Sequence, residues 1–170
     1  GQFYVPGEGF YDSHEEDALL IARAQNLQDN AVPSGSAQAV NLFLQMAAYE
    51  GESFYEEIAY ETLKNTLGQI AQYPGAFSNW LIAYDRILHP IKEIAIVGSP
   101  EEPETAEMVN FLMGKFRPDI ILAVGEEDSP VRPALLDHRL KIDGRTTAYV
   151  CYKHTCQQPV NTTAALEELL

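Results

Sequence analysis

The two cysteines are the residues of this chain with the most evident chemical potential. Cys151 and Cys156 lie five residues apart, with His154 between them. Their C-x4-C spacing differs from the C-x-x-C motif that places a low-pKa thiolate at a helix N-terminus, so it does not favour a thioredoxin-type redox centre. The residues alone leave three alternatives open, namely reduced and partly buried thiols, a disulfide or redox-sensitive pair, and part of a metal site.

The position of each cysteine in its predicted element bears on these alternatives. Cys151 falls in a predicted strand, and a four-residue loop over 152–155 would bring Cys156 across from it, at the Cα separation of about 5.5 Å that a disulfide spans. A zinc site would need two more ligands, and only His154 is near. We therefore name Cys151 and Cys156 as redox candidates and predict no metal site.

A second group of polar residues precedes a predicted helix. Asp29, Ser34 and Ser36 would place a carboxylate and two hydroxyls at a helix N-terminus, where free N–H groups and the positive end of the dipole favour polar ligands such as sugar hydroxyls. Tyr11 and Arg23 could complete such a wall by stacking on a sugar and hydrogen bonding to it. These five residues are our substrate-binding candidates, and the alternative for the three that precede the helix is capping alone.

The chain shows no pair of acid and base groups of the kind that an epimerase or glycosidase needs. Its four histidines are scattered in turn-like or charged contexts. The catalytic residues are therefore unknown, no cofactor is predicted, and we expect this chain by itself to be inactive.

The first 90 residues are predicted to be helical. Ser34 or Ser36 begins a helix that runs to about Tyr49, and its apolar residues leave almost no polar face, so we expect an inner helix buried nearly all round. Ser53, with Glu56 in a capping-box arrangement, begins an amphipathic helix to about Gln72. A third helix follows Tyr73-Pro74-Gly75. An inner helix paired with an amphipathic outer one is the unit of an α/α toroid.

The period of the apolar residues changes after Pro90. Residues 93–98 and 119–125 are predicted strands on either side of a helix, which implies a parallel crossover. A short helix near 133–138, a third strand over 146–152 and a closing helix follow. We predict an α+β chain, with helical hairpins of an α/α toroid in 1–90 and a small, three-stranded, mainly parallel α/β unit in 91–170.

Charge and composition exclude several classes of partner. The chain has 11 basic and 25 acidic residues, a formal net charge of -14, and we find no basic patch. Nucleic acids and anionic membrane surfaces would repel it. No apolar run approaches the ~20 residues of a membrane span, and no signal peptide is evident. We expect a cytoplasmic protein, and because the chain has no initiator Met, we expect it to be a piece of a longer one.

Six stretches of the sequence carry a resemblance to a known family. They occur in order along nearly the whole chain: "GEGFYDS" (7–13), "LIAR" (20–23), "DNAVPSGSA" (29–37), "YPGAFSNWLIA" (73–83), "EIAIVG" (93–98) and "GRTTAYVCYKHTCQQP" (144–159). Through them the chain resembles the C-terminal part of the spermatogenesis-associated protein 20 (YyaL) family. The chain departs from the usual family pattern at Ala24-Gln25 and at Ser36-Ala37.

The resemblance implies more than the residues do. It implies an upstream thioredoxin-like domain followed by a helical toroid similar to six-hairpin glycosidases and N-acylglucosamine 2-epimerases. The expected partners are then a carbohydrate or other polar small molecule and the rest of the parent polypeptide. A redox-linked accessory or protein-interaction region that serves the thioredoxin-like domain is the alternative. The resemblance also implies that both cysteines belong to the family's pattern.

Overall fold

The computed structural model describes residues 2–17, 20–130, 132–153 and 155–170. The chain divides into two compact units. The first comprises Gly1–Ala47 and Glu52–Leu88, and the second comprises Ala48–Gly51 and His89–Leu170.

The first unit contains a two-stranded hairpin and most of the helical residues. Its elements are β1 (Tyr4–Val5), β2 (Gly9–Phe10), α1 (Gly35–Glu50), α2 (Ser53–Gln72), a 3-10 turn (Pro74–Ala76) and α3 (Ser78–Leu88). The last residues of α1 group with the second unit. The two strands are antiparallel.

The predicted helices are confirmed to within two residues at their ends, because the breaks between them are strong local signals. Gly51 adopts a positive φ of 70° directly after α1, a conformation that glycine adopts without steric cost. The predicted capping box at the start of α2 is wrong. Ser53 is the first helical residue, the N-cap is Glu52, and the Glu52 side chain makes no capping hydrogen bond. The β1–β2 hairpin corrects the prediction that the first 90 residues are helical hairpins.

The toroid prediction is wrong, because the helices pack directly on one another around a filled core. Phe77 and Trp80 are fully buried between the helices, and the indole Nε1 of Trp80 donates to the carbonyl of Leu27 at 2.7 Å. The prediction that α1 is enclosed on nearly every side is also wrong, since the Leu42 side chain is 55% exposed. The apolar residues of a helix indicate how much of its surface is buried against other elements, but they do not specify that the helices form a ring.

The second unit is built on a four-stranded sheet. Its elements are β3 (Lys92–Val97), α4 (Pro103–Met113), β4 (Ile120–Gly125), a 3-10 turn (Ala134–Leu136), β5 (Thr147–Tyr152), β6 (Thr155–Cys156) and α5 (Thr163–Glu168).

The strand order is β4-β3-β5-β6, which corrects the predicted three-stranded, mainly parallel unit. The β3–β4 pair is parallel and connected by α4, as predicted. The β3–β5 and β5–β6 pairs are antiparallel, so the sheet is mixed. The physical reason lies in the link between β4 and β5. Among its described residues this link holds a three-residue 3-10 turn and no crossover helix to carry the chain back to the other end of the sheet, so β5 begins opposite the end of β3.

Alternation along the strands divides the core of this unit between two faces of the sheet. Ile94, Ile96 and Val150 pack on one face with side chains of α4 and α5. Ala95 and Val97 lie on the other face, with apolar side chains of the 3-10 turn at Ala134–Leu136. Because successive side chains of a strand point to opposite faces, Glu93, Tyr149 and Cys151 share this second face.

Two glycines provide a test of the packing. Gly98 directly follows β3, and a Cβ on it would lie 2.7 Å from Oγ1 of the buried Thr146 and would also meet Oγ1 of Thr105. A Cβ on Gly68 in α2 would meet nothing within 4 Å. We expect Gly98→Ala to lower the free energy of unfolding by about 1–3 kcal/mol, because the added methyl has no room. We expect Gly68→Ala to raise it by about 0.5–1 kcal/mol, since alanine restricts the unfolded chain.

Urea denaturation of both variants beside the unchanged chain measures the difference. A stabilised Gly98→Ala variant would contradict the packing described around this residue.

Candidate functional site

The cysteines form a disulfide across the β5–β6 hairpin. Cys151 and Cys156 are directly opposite one another in the antiparallel pair, with their Cα atoms 3.8 Å apart and their sulfurs bonded. Tyr152 pairs with Thr155, so two residues connect the strands, and the predicted four-residue loop is wrong. Lys153 has a positive φ of 46°, which suits the first position of such a short hairpin loop.

The two ends of this disulfide lie in different surroundings. Cys151 is fully buried in β5, the strand that pairs with the central β3, whereas Cys156 is exposed in β6, the two-residue strand at the edge of the sheet. One sulfur therefore belongs to an exposed residue, and the other belongs to a residue of the core.

An arginine lies against both sulfurs. Nη2 of Arg139 is 3.4 Å from Sγ of Cys151 and 3.3 Å from Sγ of Cys156. Nη1 of the same guanidinium donates to the carbonyl of Leu135 and, at 3.4 Å, to the carbonyl of Asp137. Two backbone carbonyls thus hold the charged group in place over the disulfide.

The backbone around Arg139 is fixed by a turn and by a tyrosine of β5. His138 adopts a positive φ of 58°, which is unusual for a residue with a side chain and reverses the chain just before Arg139. The hydroxyl of Tyr149 donates to the carbonyl of Leu140 at 2.7 Å and accepts from the N–H of Leu140 at 3.2 Å. The guanidinium carbon of Arg139 lies 5.9 Å from the centre of the Tyr149 ring.

The electrostatic surroundings of the guanidinium combine burial with nearby negative charge. Burial lowers the pKa of Arg139, while the charges of Glu93, Tyr149 and Asp137 act to raise it. Arginine nevertheless stays protonated near neutral pH. Its Nε atom is buried and has no hydrogen-bond partner within the described part of the chain. The site is therefore a disulfide beside a partly desolvated cation.

The geometry resolves two of the three alternatives for the cysteines. The structure contains the disulfide, and neither cysteine is a free thiol. For the third alternative, a metal site, the described residues include no group of three or more His, Cys, Asp or Glu side chains that could hold a metal ion. His154, the nearby histidine named with that alternative, lies outside the described residues.

The substrate-binding candidates fall into two groups in the first unit. In one group, Asp29 Oδ1 accepts from the N–H of Ser34 at 2.9 Å and Oδ2 accepts from the N–H of Asn79 at 2.8 Å. Ser34 Oγ donates to the carbonyl of Asn26 at 2.8 Å and accepts from the N–H of Ala37 at 3.4 Å. The capping contact given as the alternative is therefore present.

The remaining three candidates also make contacts within the chain. Ser36 Oγ donates to the carbonyl of Phe10 at 3.1 Å. The Arg23 guanidinium lies 4.2 Å from the centre of the Tyr11 ring, and its Nη2 donates to the carbonyl of Ser13 at 2.7 Å. A hydrogen bond to the Glu8 carboxylate raises the pKa of Tyr11. The role of all five candidates in binding a sugar stays a prediction.

The sequence interpretation missed three residues of the disulfide site: Arg139, Glu93 and Tyr149. Strand alternation was an available signal for Tyr149, which is two residues before Cys151 and so on the same face. To predict that Glu93 is part of the site, one would need the register of β3 against β5. To predict Arg139, one would need the path of the 21-residue link between β4 and β5, and no local sequence pattern specifies either.

Comparison with known proteins supports a distant relationship that covers the whole chain. The chain is 24% identical over 174 aligned residues to spermatogenesis-associated protein 20 of Mus musculus, across 99% of this chain and 22% of the relative. It is 23% identical over 169 residues to spermatogenesis-associated protein 20 of Rattus norvegicus, across 96% of this chain and 21% of that protein. No protein-family model and no solved structure matches the chain.

The chain therefore spans about a fifth of the length of these curated relatives, and it is similar to a part of a larger protein. The predicted resemblance is confirmed to this extent. These matches do not show the thioredoxin-like domain or the toroid that the resemblance implied. Across the described ranges, no helix has the length and apolar character needed to cross a membrane.

The contacts of Asp29 provide a test of its role in the first unit. Its carboxylate joins the start of α1 to the start of α3, and hydrogen bonds to a charged group are among the stronger ones in proteins. We expect Asp29→Ala to lower the free energy of unfolding by about 1.5–3 kcal/mol, measured by urea denaturation.

The matched control removes the same charge at an exposed position. Asp128→Ala should change the free energy of unfolding by less than about 0.5 kcal/mol. Equal effects of the two substitutions would show that charge, and not these hydrogen bonds, determines the result.

Proposed function

We propose that this chain carries a redox-active cysteine pair, and that it serves as an accessory region of a thiol–disulfide exchange system. Cys151 and Cys156 are the exchanging residues. The disulfide is opened by a dithiol and closed again by a disulfide of suitable potential.

The observation that carries this proposal is the exposed position of Cys156 on an edge strand. An attacking thiolate must reach a sulfur of the disulfide, and the rate of exchange depends on that access. Cys156 is exposed, and β6 is the last strand of the sheet, so no further strand covers it among the described residues. The exposed edge position of Cys156 therefore gives a partner thiolate access to the bond.

The size of the loop also supports a redox role over a structural one. The cysteines are five residues apart, so the bridge closes a very short loop. The loop-entropy model assigns such a bridge about 2 kcal/mol, less than half of the ~4.7 kcal/mol for a 100-residue loop. Because β5 also pairs with β3 over six residues, opening the bond leaves the sheet connected.

A dithiol protein is the partner that this chemistry requires. The resemblance implies a thioredoxin-like domain in the same polypeptide, and such a domain is our candidate for that partner. The net charge of -14 also favours a protein partner over nucleic acid or an anionic membrane surface.

The test is to incubate the native chain with dithiothreitol, quench with N-ethylmaleimide and count the alkylated cysteines by mass spectrometry. We expect the disulfide to open in the folded chain and to close again with oxidised glutathione, while the far-ultraviolet circular dichroism stays unchanged. A disulfide that opens only in denaturant would overturn the proposal.

A variant with both cysteines replaced by serine is the control for structure. Because the bridge closes a short loop, we expect Cys151→Ser with Cys156→Ser to keep the fold and to lose about 2 kcal/mol of stability. Unfolding of this variant would indicate that the disulfide is structural.

A further inference from the structure

We propose that exchange at this site has a fixed direction: a partner thiolate attacks Sγ of Cys156, and Cys151 leaves as a thiolate that Arg139 stabilises. This assignment rests on the proposed function, and it names Arg139 as a positioning residue that acts through the cysteines.

The burial of the two cysteines decides which sulfur is attacked. A thiolate approaches a disulfide along the S–S axis, from the side of the sulfur that it bonds. Cys151 is 0% exposed in β5, so its side of the bond is closed by the protein. Cys156 is exposed in β6, so its side is open.

The position of Arg139 decides how the leaving group is stabilised. Nη2 of Arg139 is 3.4 Å from Sγ of Cys151 and 3.3 Å from Sγ of Cys156, within hydrogen-bonding distance of both sulfurs, so burial sets the direction of attack and the guanidinium stabilises the thiolate that leaves. A thiol with a lower pKa leaves faster, and a neighbouring cation is one of the features that lower the pKa of a cysteine. The guanidinium is held by the carbonyls of Leu135 and Asp137, so little reorganisation is needed when the thiolate forms.

The charges that face the guanidinium make its contribution necessary. Glu93 of β3 is 3% exposed and lies directly opposite Cys151 in the sheet, and the charge of Asp137 also acts on Arg139. Without the cation, a Cys151 thiolate would form in a buried site beside a carboxylate, and both burial and like charge oppose ionisation. Arg139 offsets both effects.

The reaction balances as a transfer of two electrons. One thiolate of a dithiol bonds to Sγ of Cys156, the Cys151–Cys156 bond breaks, and its electron pair stays on Cys151. The second thiol of the dithiol then loses its proton and attacks its own partner sulfur in the mixed disulfide. Cys156 leaves as a thiolate and takes up that proton. The dithiol is oxidised to a disulfide, and the chain is left with a Cys151 thiolate and a Cys156 thiol.

The direction of attack is tested by locating the mixed disulfide. The native chain is treated briefly with reduced glutathione, the free thiols are alkylated, and trypsin cleavage after Lys153 separates the two cysteines onto different peptides. We expect glutathione on the Cys156 peptide and the alkyl group on the Cys151 peptide. Glutathione mainly on Cys151 would overturn the assignment.

The role of Arg139 is tested with Arg139→Met and Arg139→Lys, and with Arg117→Met as a control that removes an arginine elsewhere in the same unit. Arg117 donates to the carbonyls of Phe111 and Leu112, away from the disulfide. We expect Arg139→Met to slow opening by dithiothreitol roughly three- to tenfold, and to raise the pKa of Cys151, measured by alkylation in a Cys156→Ser background, by about one unit. Arg139→Lys should lie between the unchanged chain and Arg139→Met in both the rate of opening and the pKa of Cys151. Arg117→Met should change neither the rate nor this pKa.

These outcomes separate this inference from the proposed function. If the native disulfide opens but the rate and the pKa are the same in Arg139→Met, exchange occurs and Arg139 has no part in it. If the native disulfide does not open at all, the proposed function itself fails. The circular dichroism of each variant identifies any that has unfolded, and Arg139→Lys, which keeps the charge, provides the second reading in that case.

Discussion

The antiparallel pairing of β5 with β3 is the constraint on which the second unit depends. This register places Cys151 opposite Glu93, and it places Tyr149 on the same face of the sheet as both. Because side chains alternate along a strand, a shift of β5 by one residue against β3 would move Tyr149 and Cys151 to the opposite face, where α4 and α5 pack, and would separate them from Glu93. The surroundings of the disulfide are therefore a consequence of register.

The link between β4 and β5 completes the site from outside the sheet. It passes over the face that holds Cys151, where Leu135 and Leu136 pack with the apolar residues of the strands. Burial of these leucines fixes the backbone carbonyl of Leu135, which accepts a hydrogen bond from the Arg139 guanidinium. A hydrogen bond from the Tyr149 hydroxyl fixes Leu140, the residue that follows Arg139. The position of the cation thus follows from apolar packing on one side and from hydrogen bonds on the other.

The first unit illustrates a different division between polar and apolar contacts. Its helices are joined by a core that includes Trp80 and Phe77, while Asp29 connects the N-terminal ends of α1 and α3 through backbone N–H groups. Free N–H groups at a helix start require partners, and here residues of the same chain provide them. Polar residues ahead of a helix are therefore compatible with a ligand site and with an internal cap, and their types alone do not distinguish the two.

The sequence by itself determined the helices, the parallel β3–β4 pair and the fact that the two cysteines are close along the chain. These features depend on the local period of apolar residues and on breaks such as Tyr73-Pro74-Gly75 and Glu50-Gly51. Only the tertiary structure decided that the helices form no toroid, that β5 is antiparallel, and that Arg139 lies against the sulfurs. Each of these depends on contacts between residues distant in sequence or on the path of an irregular link, and a local pattern carries no information about either.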